Sequence, residues 1–117
     1  MGDFSFPKSF HLRRPADFHR VYSRGVKRHT GSFVVFRTGN DSDHPRLGLS
    51  VGKKYGNAIR RNRVKRLIRE AVRLNWRKWN LASSDLVIIA KRGSGRFRMS
   101  DVADDLSRSF GPRAGEK

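Results

Sequence analysis

Residues 56–73 read GNAIRRNRVKRLIREAVR, and seven of the fourteen residues from 60 to 73 are Lys or Arg. Their chemistry is anion binding rather than bond making. A guanidinium offers five donors in a rigid fork that matches phosphate oxygens, and it stays charged at any physiological pH. Glu70 is the only acid among them. Val64, Leu67, Ile68, Ala71 and Leu74 recur at helical spacing, which predicts an amphipathic helix running to Trp79. At 100° per residue, Asn62, Lys65, Arg66, Arg69 and Arg73 gather on its other side. Asn57 is placed to cap its start. A merely solvated face would mix signs, because like charges at i,i+4 repel by a few tenths of a kcal/mol. Lys65/Arg69 and Arg69/Arg73 are such like pairs, and Arg66/Glu70 is the one obvious offset. The pattern points to a polyanion.

A second set of residues could hold unpaired bases. Phe18, Val21 and Tyr22 share one face of a short helix, and an aromatic pair beside a basic surface serves either a core or base stacking. In RLGLSVGKK, Gly48, Ser50 and Gly52 share one face of an extended segment, bare enough for a ligand or a backbone to approach.

Bond-making chemistry is not written in the side chains. HExxH, G-x-S-x-G and GxxxxGK[ST] are absent, and Glu occurs only at 70 and 116. His11, His19, His29 and His44 have no metal-ligand spacing. The absence of Cys excludes disulfides, thiolate zinc and Cys nucleophiles. Asp41 and Asp43 fall in the turn GNDSDHP, and Asp101, Asp104 and Asp105 read as partners of a helix N-terminus.

The elements that position these groups follow from periodicity. Residues 1–11 read as an arm anchored by Phe4, Phe6 and Phe10. LRRPADFHRVYSRG is a helix, with Pro15 in its first turn and Gly25 at its stop. Residues 26–29 suit an edge strand, and 32–38 and 46–54 suit two further strands. LVIIAK at 86–91 suits a strand covered on both faces. A last helix is capped by Ser100, carries Val102, Leu106 and Phe110 on its stripe, and stops at Gly111-Pro112, leaving a tail at 112–117. The expectation is one α+β domain over 1–117, an α/β sandwich of a small sheet and helices.

A net charge of +17 on 117 residues makes nucleic acid the default partner. No apolar run nears the ~20 residues of a spanning helix, so no membrane partner is expected. MGDFSFPKSF has no apolar signal core, so the expected compartment is cytoplasmic. Two rival classes share the charge: a structural RNA-binding protein such as a ribosomal one, and a DNA-binding protein reading the major groove with the 60–73 helix.

GLSVGKKYGNAIRRNRVKRLIREA closely resembles the signature of the bacterial ribonuclease P protein subunits. LRRPADFHRVYSRG upstream and DLVIIAKR downstream match the same family in order and spacing. The resemblance implies the order αβββαβα, a four-stranded mixed sheet, and a left-handed parallel crossover from strand 47–53 to strand 86–91. That crossover would break a handedness rule kept in about 98% of cases. It implies a subunit that joins a catalytic RNA, with the RNA cleaving the 5′ leader from precursor tRNA and no obligate protein partner. Mg²⁺ would be held mainly by RNA and substrate phosphates. Arg61, Asn62, Arg63, Lys65, Arg66 and Arg69 match the motif that the family sets against its RNA. Phe18, Tyr22 and Phe36 match a cleft for the single-stranded leader, with Ser50, Lys53, Lys54, Lys91 and Arg92 as its neighbours. Tyr22 stands where many relatives have Phe and keeps the stacking face.

Overall fold

A computed structural model describes residues 6–91 and 98–110; Arg92 and the 93–95 linker lie outside them. The elements are α1 (Pro15–Arg24), β1 (Val26–His29), β2 (Phe33–Gly39), β3 (Arg46–Ser50), α2 (Ala58–Asn75), β4 (Ser84–Ala90) and α3 (Met99–Phe110). This is the expected αβββαβα order. The four strands form one mixed sheet in the order β1-β2-β4-β3. β4 runs antiparallel to β2 and parallel to β3, so α2 sits in a crossover between neighbouring parallel strands.

Strand alternation sorts the side chains into two layers. Phe33, Val35, Leu47, Leu86 and Ile88 join Val64, Ile68, Ala71 and Val72 of α2 and Val102 and Leu106 of α3 in the main core. On the opposite face Val87 packs with Leu12 and Val21, and Phe18, Phe36 and Ile89 lie against them. Both faces of β4 are thus covered, which is why its sequence is an unbroken apolar run.

The structure corrects several boundaries. Regular α2 ends at Asn75. One more turn carries the chain to Trp79, closed by Leu81 N–H to Trp76 C=O (2.9 Å) and Asn80 N–H to Arg77 C=O (3.1 Å). Asn80 adopts φ 58°, the left-handed residue that such a closure requires. Leu74 is 59% exposed and Val72 takes the core position instead. β3 stops at Ser50, and Lys53–Tyr55 form a 3₁₀ turn that buries Tyr55. Ser100 lies within α3 rather than capping it, while Asp101 accepts from Arg98 N–H at 3.0 Å. Asp105 serves the β1–β2 hairpin rather than the helix end, accepting from Thr30 Oγ1 (2.8 Å), Gly31 N–H (3.1 Å) and Ser32 N–H (2.8 Å). Of the expected arm, residues 6–11 are placed against the fold. Phe10 stacks on His44 at 4.8 Å and meets Trp76 edge-on at 5.9 Å, and His11 bridges Leu47.

α1 is fastened to the sheet by a buried ion pair. Arg20 Nη2 reaches Asp85 Oδ2 at 2.5 Å, and Arg46 grips the same carboxylate at 2.8 and 2.7 Å. Asn40 Nδ2 adds a bond of 2.7 Å. Burial pushes the Asp85 pKa up, but the bonds from Arg46, Asn40 and Arg20 outweigh it, so the carboxyl titrates below its ordinary range. Both guanidiniums keep about a third of their surface in water, so losing the carboxylate is expected at the lower end of buried-pair costs. Asp85→Ala should destabilise the fold by about 2–3 kcal/mol in urea denaturation. Because the folded pKa is depressed, this contribution is full above the unfolded pKa of ~4 and is lost as pH falls through the folded value. The variant should therefore show less acid sensitivity below about pH 5 than the parent.

Candidate nucleic-acid interface

On the α1 side of the sheet the registers build cross-strand rungs. Lys27, Phe36, Val87 and Gly48 form one; His29, Val34, Ile89 and Ser50 form the next. α1 covers the first. The Phe18 ring lies so close over Gly48 that an added Cβ would sit 2.5 Å from Phe18 Cζ. Tyr22 meets Phe36 edge-on at 4.9 Å, and Phe18 and Tyr22 are 6.4 Å apart. Lys27 Nζ lies 5.7 Å from the Phe36 centroid. The second rung is only partly covered: Val34, Ile89 and Ser50 are half-buried and His29 is exposed. Phe18, Tyr22 and Phe36 therefore form one aromatic wall beside that half-open rung. Val34 and Ile89 were not singled out from sequence, although β2 alternation already set Val34 beside Phe36.

The basic helix packs its apolar side into the main core, and its Lys65 and Arg69 reach the groove beside Leu47 and Leu49 of β3. Asn57 Oδ1 accepts from Arg60 N–H at 2.9 Å, as a helix cap should. Asn62, Arg63 and Arg66 are exposed; Arg61, Lys65 and Arg69 are half-buried. Glu70 bonds Arg73 rather than Arg66. Arg61 Nε is shielded from solvent and finds no acceptor among the described residues. Lys65 and Arg69 meet Phe18, His11 and Arg13 around a groove of about 350 Å³ floored by Leu12, Leu47 and Leu49. Burial, then Arg13 and Arg69, lowers the pKa of His11, and burial lowers that of Arg69. Among the described residues no acid lines this groove, so it joins the basic helix to the aromatic wall in one positive field.

The remaining predicted residues are dispersed. Lys53 and Lys54 are exposed on the turn ahead of α2. Lys91 is held by the hairpin, its Nζ donating to Thr30 C=O at 2.6 Å.

The ribonuclease P family profile matches residues 6–112. The chain belongs to the ribonuclease P protein family. It is 42% identical to the ribonuclease P protein component of Syntrophus aciditrophicus, over 91% of this chain and 88% of that protein. It is 37% identical to the component from Desulforapulum autotrophicum, over 94% and 93%. The RNase P protein of Thermotoga maritima superposes with a TM-score of 0.76 at 31% identity, covering 86% of this chain and 94% of that one. The Staphylococcus aureus RNase P protein gives 0.75 at 34%, covering 86% and 92%.

The Phe18–Gly48 contact makes a sharp contrast within the bare face expected at Gly48, Ser50 and Gly52. Gly48→Ala must displace the ring and should cost about 1–3 kcal/mol in chemical denaturation. Gly52→Ala meets nothing within 4 Å and should stay within roughly 0.5 kcal/mol of the parent.

Proposed function

We propose that this chain is the RNA-binding subunit of ribonuclease P and helps a catalytic RNA remove the 5′ leader from precursor tRNA. The observation that carries the reading is the junction of two surfaces: an arginine-rich helix face and an aromatic wall, joined by one groove that no acid lines among the described residues. Arg61, Asn62, Arg63, Lys65, Arg66 and Arg69 dock the RNA subunit through its phosphates. Phe18, Tyr22 and Phe36 stack the unpaired leader bases, with Ser50, Lys53, Lys54, Lys91 and Arg92 along the track. Stacking contributes about 1–3 kcal/mol per base and tolerates any sequence, which suits a protein that must accept many leaders.

The chain's part is to bind and orient. Among the described residues no three His, Asp or Glu converge, and Asp85 is fully engaged by Arg20, Arg46 and Asn40. These residues do not make a seat for Mg²⁺, and the reading leaves the metal with RNA and substrate phosphates. Among the described residues no helix is long and apolar enough to cross a membrane.

Reconstitution tests the function. The chain is mixed with a bacterial ribonuclease P RNA, and precursor cleavage is followed at low Mg²⁺. Restored cleavage at the mature 5′ end is expected, with Phe18→Ala weakening precursor binding roughly 5- to 100-fold and mature tRNA binding far less. RNA binding without rescue would favour a purely structural RNA-binding protein. For the helix, Arg66→Ala with Arg69→Ala should flatten the dependence of RNA-subunit affinity on salt by about one to two units of slope. An unchanged slope would place that helix face away from the RNA.

A further inference from the structure

The groove between α1, α2 and the residues that precede α1 holds one side chain that the function proposed above does not use. His11 lines it beside Arg13, Lys65 and Arg69. Its backbone is fixed on two sides. His11 N–H donates to Lys8 C=O at 3.1 Å, and Leu12 N–H donates to Leu47 C=O at 3.0 Å. The Phe6 ring meets the imidazole edge-on at 5.1 Å. A half-buried ring held in this way keeps its place in the groove before any ligand arrives.

Charge sets this histidine apart. The titratable groups that face it are Arg13 from its own segment and Lys65 and Arg69 from α2, while α1 and β3 contribute only Phe18, Leu47 and Leu49. Glu70, the acid of α2, bonds Arg73 and is not among the lining residues. Burial, Arg13 and Arg69 all oppose a proton on His11, and a hydrogen bond to the Phe6 backbone favours one. Lys and Arg side chains stay charged across the range in which a histidine titrates, so the ring decides whether the groove holds three positive charges or four. An anion entering there reverses the balance. It offsets the repulsion from Arg13 and Arg69, and a phosphate oxygen accepts from a protonated ring as it does from a guanidinium. Proton uptake and anion binding then strengthen each other by the same factor.

We propose that this groove seats a backbone phosphate of RNA against Lys65 and Arg69, and that His11 binds it as an imidazolium, so that RNA affinity is linked to a proton. RNA as the source of the phosphate rests on the function proposed above; the oxyanion seat itself does not. The complex carries one proton more than the free chain. Affinity therefore rises as pH falls through the interval between the free and the bound titration of His11, by at most about tenfold per pH unit, and is level on either side. The extra charge also steepens the salt dependence by about one unit of slope at the acid end.

Two measurements test this. In the first, sulfate, whose charge is constant over the range, is titrated into the full chain at fixed ionic strength, and the histidine ring protons are followed by NMR against pH. A saturable move of the His11 titration to higher pH is expected, with the exposed His19 unmoved. No move, or the same move at both histidines, overturns the seat. In the second, affinity for the RNA subunit is measured over roughly pH 5.5 to 8 in the parent, His11→Gln, His11→Arg and His19→Gln chains. The parent and His19→Gln chains should lose about three- to tenfold in affinity as pH rises. His11→Gln should be level at the weak end and His11→Arg level at the tight end. Opposite behaviour of two substitutions at one position separates a charge contact from a packing defect. A level profile in the parent overturns the proton link. A parent-like profile in His11→Gln, with the sulfate result intact, overturns the RNA assignment and leaves a seat for free oxyanions. If the parent binds no RNA, the proposed function fails while the first measurement still reports on the groove.

Discussion

One carboxylate holds the architecture in register. Asp85 is fully buried at the start of the central strand, and it gathers Arg20 from α1, Arg46 from β3 and Asn40 from the β2–β3 turn. Hydrophobic burial alone would let a short helix slide over a flat sheet, because apolar contact is not directional. A charged bond to a fixed point on β4 removes that freedom. With Arg20 pinned, Phe18 and Tyr22 on the same helix fall over Gly48 and Phe36, so the placement of the aromatic wall depends on a residue that does not belong to it.

Acids in this chain are scarce, and the structure shows where several are used. Of ten Asp and Glu residues, Asp85 and Asp105 are buried and engaged in tying elements together. Glu70 pairs with Arg73 within α2, and Asp17 approaches Arg20 within α1. Negative charge spent on internal bonds is not available to neutralise the outer faces. The exposed guanidiniums of α2 therefore keep their charge for a partner, and the scarcity of acids serves folding and binding together.

Much of this was legible in the sequence, for identifiable reasons. The basic and apolar stripes of 60–73 could be separated because a helix has one period, and the cap at Asn57 follows from its side chain. β2 and β4 could be found from their composition. What stayed hidden was set by tertiary contacts. Leu74 fits the helical stripe, yet the core meets Val72, because sheet and α3 decide which side of the stripe is covered. Asp105 looks like a helix-start acid until the β1–β2 hairpin is folded against it. The bare face at Gly48 was visible, but that an aromatic ring from α1 fills it was not. The aromatic wall was named from the family resemblance, whereas the half-open rung of Val34 and Ile89 beside it emerged only with the strand register.

The position of β4 has a consequence for how the chain acquires its shape. β2 and β3 do not touch as partners; each pairs with β4, the last strand to be made. Before β4 is available the chain can form a two-stranded hairpin and isolated helices, but no sheet wide enough to bury a core. Loop closure across α2 must come before the sheet rewards it, so the pairing that completes the sheet is non-local. During synthesis the arginine-rich segment leaves the ribosome ahead of the strand that gives it a surface to lie on. Its positive charge is thus displayed on an unfinished chain, and self-repulsion opposes collapse until the central strand arrives.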